Sequence, residues 1–257
     1  MQNAGFTEAD LPCTYELLPI HPDSLSGEIA KLKDNFKGWN CTVPHKQAII
    51  PFLDDIDETA KILGSVNTVV NSNGKLKGYS TDGYGMEQSL AESFNLKIKG
   101  QSFLFIGAGG AARAVALHFA MQGAAKIAIL NRTVSKAQSL IDEISSIDSS
   151  ILCEVSSISQ PSIDLQAYNV VLQCTSMGLH QDDAMPLSLN LLNENQYIVD
   201  MIYHETPFLN AAKAKGCPSI DGRGMLLHQG IKAWEIWSDQ KAPVDAMRQA
   251  LNAALEK

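Results

Sequence analysis

The stretch Phe103-Leu-Phe-Ile-Gly-Ala-Gly-Gly-Ala-Ala112 decides the fold. Its first four residues are apolar and read as a buried strand that runs straight into a glycine turn. Gly107, Gly109 and Ala112 fit the pattern G-x-G-x-x-G/A. Small residues at those positions permit a tight turn, let backbone amides approach a pyrophosphate, and let the next helix pack closely on the sheet. That helix is predicted to run to about Gln122, with a second strand over 127–130. Strand, glycine turn, helix and strand make a βαβ unit. Ala108, Gly110 and Ala111 complete an anion site at its helix N-terminus.

The end of the second strand speaks to which dinucleotide such a unit binds. An Asp or Glu there would pair with the ribose 2′-hydroxyl of NAD and repel a 2′-phosphate. This chain has Asn131-Arg132-Thr133 instead. Arg132 is placed to grip a phosphate, Thr133 adds a hydroxyl and Lys136 adds charge, so the pattern favours NADP.

Outward toward the N-terminus, Thr14-Tyr-Glu-Leu-Leu-Pro-Ile20 reads as a strand, and 24–34 as an amphipathic helix with Leu25, Ile29 and Leu32 on one face. A short strand is predicted over 39–43. Two β-rich runs, 65–71 and 76–79, flank Ser72-Asn-Gly-Lys75, a hairpin signal, and a helix follows over about 85–95. Toward the C-terminus, strands are expected at 170–173 and 197–201. Thr206, Pro207 and Gly216 then punctuate a helix. Two last helices, about 224–238 and 244–255, are expected to follow without another strand. Met247, Ala250, Leu251, Ala254 and Leu255 share a face of the final one, which should pack on the first domain. Trp234 and Trp237 fit one helical face and read as packing. The expected class is α/β with two domains: an N-terminal α/β substrate domain of residues 1–84 and 220–257, and a Rossmann-like NADP-binding domain of residues 85–219.

With 45% hydrophobic and 19% charged residues, a chain of 257 residues can bury a sizeable core. Twenty basic against 28 acidic residues give a net charge of −8, which argues against nucleic acid or an anionic membrane as partner. The acidic start lacks a signal peptide's pattern, and Arg113, His118 and Lys126 interrupt the most apolar region, so neither secretion nor a bilayer span is expected. The reading is a cytoplasmic protein, monomer or homodimer, acting on a small molecule. Five scattered cysteines suit reduced, mostly buried thiols. His45, His118, His180, His204 and His228 share no ligand spacing, so no metal is expected.

Three further motifs point to one family. Asn40-Cys-Thr-Val-Pro-His-Lys46, Gly64-Ser-Val-Asn-Thr68 and Gly78-Tyr-Ser-Thr-Asp-Gly-Tyr-Gly85 match, in order, N-V-T-x-P-x-K, G-A-V-N-T and G-x-N-T-D-x-x-G. With the glycine turn, Asn131 to Thr133, Thr175 to Gly178 (T-S-x-G), Asp200 to Tyr203 (D-x-x-Y) and Gly222 to Gln229 (G-x-x-M-L-x-x-Q), the chain resembles the shikimate dehydrogenases over nearly its whole length. That family reduces 3-dehydroshikimate to shikimate with NADPH, in the shikimate pathway of aromatic amino acid biosynthesis. The resemblance implies that Lys46 and Asp82 are the catalytic pair and that Thr42, Asn67 and Gln229 hold substrate hydroxyls. Tyr203 is implied near the substrate carboxylate. Asn131, Arg132, Thr133 and Lys136 would surround the 2′-phosphate, and Thr175, Met201 and Gly222 would line the rest of the cofactor site. The chemistry agrees with those residue types: a hydride reaching a ketone carbon leaves an alkoxide that needs a proton, and a lysine ammonium held by a carboxylate can supply it. The path of the proton between Lys46 and Asp82 stays open at this level.

The resemblance has departures. Cys41 and Ser80 replace the usual valine and asparagine, and Tyr203-His-Glu-Thr-Pro207 is shorter than its counterpart. Met1-Gln-Asn-Ala-Gly-Phe6 looks like the tail of a family segment, S-x-S-P-x-M-H-N, whose serines bind the substrate carboxylate. The expectation is therefore a clipped gene start, or weak substrate binding and poor stability. Two other readings are a quinate/shikimate dehydrogenase using NAD, against which Arg132 argues, and a truncated NADP-binding relic without turnover. Glutamyl-tRNA reductase shares the glycine turn and Asn-Arg-Thr but has no place for the Lys46 and Asp82 motifs.

Overall fold

Residues 1–180 and 182–256 are described by the computed structural model, in which the chain forms two units. One comprises Met1–Gly85 and the chain from Leu227 on; the other is Met86–Leu226.

The first unit contains α1 (Gln2–Glu8), α2 (Leu25–Asn35), β1 (Gly38–Asn40), α3 (His45–Ala48), β2 (Asp55–Ile56), α4 (Glu58–Leu63), β3 (Thr68–Ser72) and β4 (Lys75–Tyr79). Its sheet has the order β1-β3-β4-β2. β3 lies antiparallel to both neighbours, and β2 runs parallel to β4. The predicted hairpin forms as the two-residue turn demands: Asn73 and Gly74 both take positive φ, 54° and 84°, the backbone that an Asn-Gly pair tolerates. Leu25, Ile29 and Leu32 of α2 bury their shared face against Ile49, Val66, Val69 and Leu76.

Residues 14–20 form no strand. The backbone N–H and C=O of Tyr15 are taken by the Asn3 side chain (2.6 and 2.9 Å), His45 Nε2 meets the Ile20 carbonyl (2.8 Å), and Pro19 has no N–H to offer a ladder. Leu17 is 90% exposed and Leu18 49%, so the apolar pair that a strand would bury faces solvent. β1 is also shorter than predicted: Cys41 N–H still reaches the Asn67 carbonyl (2.9 Å), after which the chain turns into α3.

α5 (Asp82–Phe94) begins in the first unit and leads into the second, to β5 (Ser102–Ile106), α6 (Gly110–Met121), β6 (Lys126–Asn131), α7 (Val134–Ile147), β7 (Leu152–Ser157), β8 (Val170–Gln173), β9 (Tyr197–Asp200), α8 (Pro207–Ala214) and β10 (Ser219–Ile220). The six strands, all parallel, have the order β10-β9-β8-β5-β6-β7. Parallel strands covered on both faces read as continuous apolar runs, and 103–106 and 170–173 are fully buried. The chain leaves β5 to one side for β6 and β7 and returns on its other side for β8. The carboxyl ends of β5 and β8 therefore form a topological switch point, where ligands of open α/β sheets bind. Thr206 caps α8 by accepting the Leu209 N–H (3.1 Å), and Gly216, φ 88°, follows its end. β10 corrects the expectation that no strand precedes the last helices; at two residues it is too short to show a period.

Those helices are α9 (Arg223–Ser238) and α10 (Val244–Leu255). α10 packs on α1, and Trp234 is fully buried beside Phe6, ring centroids 5.8 Å apart. Trp237 ties α9 to the sheet by donating from Nε1 to the Val69 carbonyl at 3.0 Å. No helix among the described residues is long and apolar enough to cross a membrane.

The Trp237 contact leaves no room beside Gly38, where a Cβ would stand 2.5 Å from Trp237 Nε1 and 2.6 Å from the Val69 oxygen. Gly38→Ala should cost about 1–3 kcal/mol by overpacking. Denaturant unfolding would show it as a lower midpoint; an unchanged midpoint would mean that the indole vacates its place freely.

Candidate active site

Lys46, Asn67 and Asp82 come from three different elements, and backbone hydrogen bonds lash those elements together. Val66 N–H donates to the Lys46 carbonyl in α3 (2.8 Å), and Asn67 N–H donates to the Tyr79 carbonyl at the end of β4 (3.0 Å). Asp82, the first residue of α5, sits where a carboxylate is favoured by the helix dipole. The result is a closed cluster. Lys46 Nζ donates to Asp82 Oδ2 at 2.6 Å, and Asn67 Nδ2 donates to Asp82 Oδ1 at 3.0 Å. Gln229, on α9, places Oε1 3.5 Å from Asn67 Nδ2. The Asp82 side chain is 8% exposed and that of Lys46 26%, so the carboxylate is nearly dry while the lysine side chain is partly open to solvent.

Two further residues are implied for the substrate by the resemblance. Thr42 is exposed on the turn before α3, and among the described residues no side-chain hydrogen bond joins it to Lys46 or Asp82. Tyr203, 45% exposed, lies in the second unit on the loop after β9, its ring edge against Gly222. Conversely, Asn40, Thr68 and Thr81 hydrogen-bond to Asn67, and sequence reading gave them no role although all three lie inside the quoted motifs.

In the second unit the glycine turn stands at the switch point. Gly107 N–H donates to the Leu130 carbonyl (2.7 Å), and its φ of 109° suits only glycine; a Cβ there would lie 3.0 Å from the Thr175 methyl. No atom stands within 4 Å of a Cβ built on Gly109 or Gly110, so the backbone face at the start of α6 is open to a ligand. One cavity is lined by Gly107, Ala108, Gly109, Asn131, Arg132, Thr133, Lys136, Cys174, Thr175 and Ser176. Asn131 Nδ2 donates to the Thr133 carbonyl (2.8 Å), fixing the turn that presents Arg132. Among the described residues no carboxylate pairs with Arg132 or Lys136, whereas Arg113 in the first turns of α6 is engaged by Glu143. The residues thus fit an NADP: amides and a helix N-terminus for the pyrophosphate, two cations for the 2′-phosphate.

Across the sheet end, Gly222 packs so closely on Met201 that a Cβ would meet its carbonyl oxygen at 2.2 Å. Asp200 holds this loop, accepting from Ile202 N–H (3.1 Å) and Thr206 Oγ1 (2.6 Å). Burial pushes the Asp200 carboxyl above its usual range, against the opposing pull of those two donors.

Residues 1–69 match the shikimate dehydrogenase substrate binding domain, 89–202 match shikimate / quinate 5-dehydrogenase, and 222–251 match the shikimate 5′-dehydrogenase C-terminal domain. The shikimate dehydrogenase (NADP(+)) of Desulforamulus reducens is 40% identical over 100% of this chain and 90% of its own. The chain belongs to the shikimate dehydrogenase family. Among solved structures, a shikimate dehydrogenase in complex with NADP+ superposes with a TM-score of 0.91 at 32% identity, covering 99% of this chain and 90% of that one. The ligand-free 5-ketofructose reductase of Gluconobacter sp. strain CHM43 superposes with a TM-score of 0.89 at 34% identity, covering 98% and 92%.

All five cysteines are free; Cys41 and Cys217 are buried and the other three half-buried. Cys41 stands just before the Thr42 turn. Burial pushes its thiol up to about 11, although the Lys46 charge pulls the other way. At pH 8 about one molecule in a thousand would then carry the thiolate, the reactive form. Cys41 should label with iodoacetamide at least about tenfold more slowly than free cysteine at pH 8, gaining reactivity as pH rises toward 11. Peptide mass spectrometry reads this directly; labelling as fast as free cysteine would mean that the segment opens readily.

Proposed function

We propose that the protein reduces 3-dehydroshikimate to shikimate with NADPH, reversibly, as a step of the shikimate pathway. The observation that carries this reading is the closed contact of Lys46, Asp82 and Asn67, at 2.6 and 3.0 Å, in a chain of the shikimate dehydrogenase family. Bound NADPH supplies the hydride that reaches the ketone carbon. The alkoxide formed there takes a proton from Lys46 Nζ. Asp82 orients the ammonium and compensates its charge, and it holds the amine for reprotonation. Asn67, Gln229, Thr42 and Tyr203 are assigned to the substrate by family resemblance.

Cofactor choice follows from charge. Arg132 and Lys136, with no carboxylate on either among the described residues, favour the 2′-phosphate of NADP over the bare hydroxyl of NAD. This weighs against the NAD-dependent quinate reading. A cytoplasmic location and a monomeric or homodimeric state complete the proposal.

Purified protein should reduce NADP+ with saturable dependence on shikimate, followed by absorbance. Lys46→Ala should lower kcat by about 10³-fold, the scale of a lost proton donor, while keeping stabilisation by NADP+. Cofactor-induced stabilisation without turnover of shikimate by the wild type would leave the relic reading standing; turnover of 5-ketofructose in its place would point to a ketose reductase. Arg132→Ala should lower kcat/KM for NADPH about 10- to 100-fold and leave that for NADH within about threefold, because a charge-assisted phosphate contact is lost. Equal losses with both cofactors would remove Arg132 from the phosphate site.

A further inference from the structure

The hydrogen bonds that reach the Lys46–Asp82 pair run in one direction, and backbone atoms dictate that direction. The Thr81 backbone N–H can only donate, so the Asn67 side-chain atom it meets at 2.9 Å is the oxygen Oδ1. The amide nitrogen of Asn67 must then face Asp82, where it lies 3.0 Å from Oδ1. The same logic repeats one step outward. The backbone carbonyl of Asn67 can only accept, so the Asn40 side-chain atom 3.0 Å from it is Nδ2, and this nitrogen also lies 3.0 Å from Thr68 Oγ1. Asn40 Oδ1, turned the other way, accepts from the Tyr15 hydroxyl at 3.1 Å. Thr68 is left one choice. Its oxygen accepts from Asn40, and its other neighbour, Asn67 Oδ1 at 3.0 Å, has no hydrogen to give, so the Thr68 hydroxyl donates to Asn67.

We infer that Thr68 is a positioning residue for the reaction: its hydroxyl, aimed by Asn40, holds the Asn67 amide with its nitrogen toward Asp82 and so keeps the Asp82–Lys46 pair in place. The inference rests on the reading of Lys46 and Asp82 given above. Thr68 suits the task on three counts. It is fully buried, so water cannot replace its hydroxyl. It is β-branched, so its χ1 is stiff. It sits on β3 opposite Asn40 on one side and Tyr79 on the other, so two ladders fix its backbone. A flipped Asn67 amide would present Oδ1 to the Asp82 carboxylate, and two donors, the Thr81 N–H and the Thr68 hydroxyl, oppose that flip. Donors aligned in series polarise one another in a dry site, which strengthens the last bond, the one onto Asp82.

Two variants of the full-length protein separate this role from mere packing. Thr68→Val keeps the shape and removes the hydroxyl; Thr68→Ser keeps the hydroxyl and removes a methyl. With shikimate and NADP+, Thr68→Val should lower kcat about tenfold, the equivalent of one lost hydrogen bond, with KM for NADP+ within about twofold of wild type. Thr68→Ser should recover to within about threefold of wild type. Asn40→Asp offers a route that leaves β3 untouched: it replaces the donor facing Thr68 with an acceptor, draws the hydroxyl hydrogen away from Asn67, and should reproduce the loss. A second readout needs no substrate. In ¹⁵N-asparagine-labelled protein, the Asn67 side-chain NH2 pair, assigned by its loss in Asn67→Asp, should exchange slowly in wild type and Thr68→Ser, and faster in Thr68→Val. Wild-type kcat in Thr68→Val, equal impairment of Val and Ser, or unchanged Asn67 exchange in Thr68→Val would each overturn the inference. Failure of the wild type to turn over shikimate would instead strike the reading of the pair, while the exchange experiment would still decide whether Thr68 holds Asn67.

Discussion

The Asp82 carboxylate has two oxygens and two partners: a cation on one, and an uncharged amide on the other. A charge pair this dry is stable only where the remaining lone pairs are also filled, since removing either partner strands a buried charge. That requirement organises the first unit. α3, the start of β3 and the start of α5 must bring side chains from residues 46, 67 and 82 within about 3 Å of one another, the reach of a hydrogen bond. The two-residue Asn73-Gly74 turn sets the register, so that Thr68 pairs with Tyr79 and, beyond the ladder, the Thr81 N–H meets the Asn67 side chain. A slip of one residue would send Thr68 to the opposite face and break the cluster.

The second unit solves a different problem, how to bind an anion within a chain of net charge −8. Its answer is local. The parallel sheet gathers strand ends and a helix N-terminus at one edge, where unpaired backbone N–H groups carry partial positive charge. Two arginines near that edge have separate duties: Arg113 is held by Glu143 between α6 and α7, while Arg132, projected by the Asn131 turn, keeps its charge for a ligand.

Much of this was legible in the sequence because it depends on local pattern. The glycine turn, the Asn-Gly hairpin, the 170–173 strand and the 244–255 helix are each specified by contiguous residues, and the Lys46, Asn67 and Asp82 motifs are short and close to turns. Elements of two residues, such as β2 and β10, carry no readable period. The 14–20 segment shows the opposite failure: it has the pattern of a strand, but its backbone partners, the side chains of Asn3 and His45, are set by tertiary contacts. Thr68 and Asn40 were in view inside their motifs, yet their part depends on which atoms of Asn67 face which backbone groups. The direction of a hydrogen bond is a property of the assembled structure and leaves no trace in residue spacing.

The choice of residues around the pair also limits where a proton can go. Asn40, Asn67, Thr68, Thr81 and Gln229 neither gain nor lose protons near neutral pH. Tyr15, at the outer end of the chain of donors, is held still further from titration, because burial, helped by the neighbouring Cys41, pushes its phenol up. His45 sits next to Lys46 in sequence but spends Nε2 on the Ile20 carbonyl. On the reading proposed above, a site of this composition fixes its geometry with many hydrogen bonds and leaves the proton to Lys46 and Asp82. Replacing a neutral member with a second titrating group would give the proton an alternative residence. The neutrality of the surrounding polar residues therefore serves the chemistry as directly as their placement does.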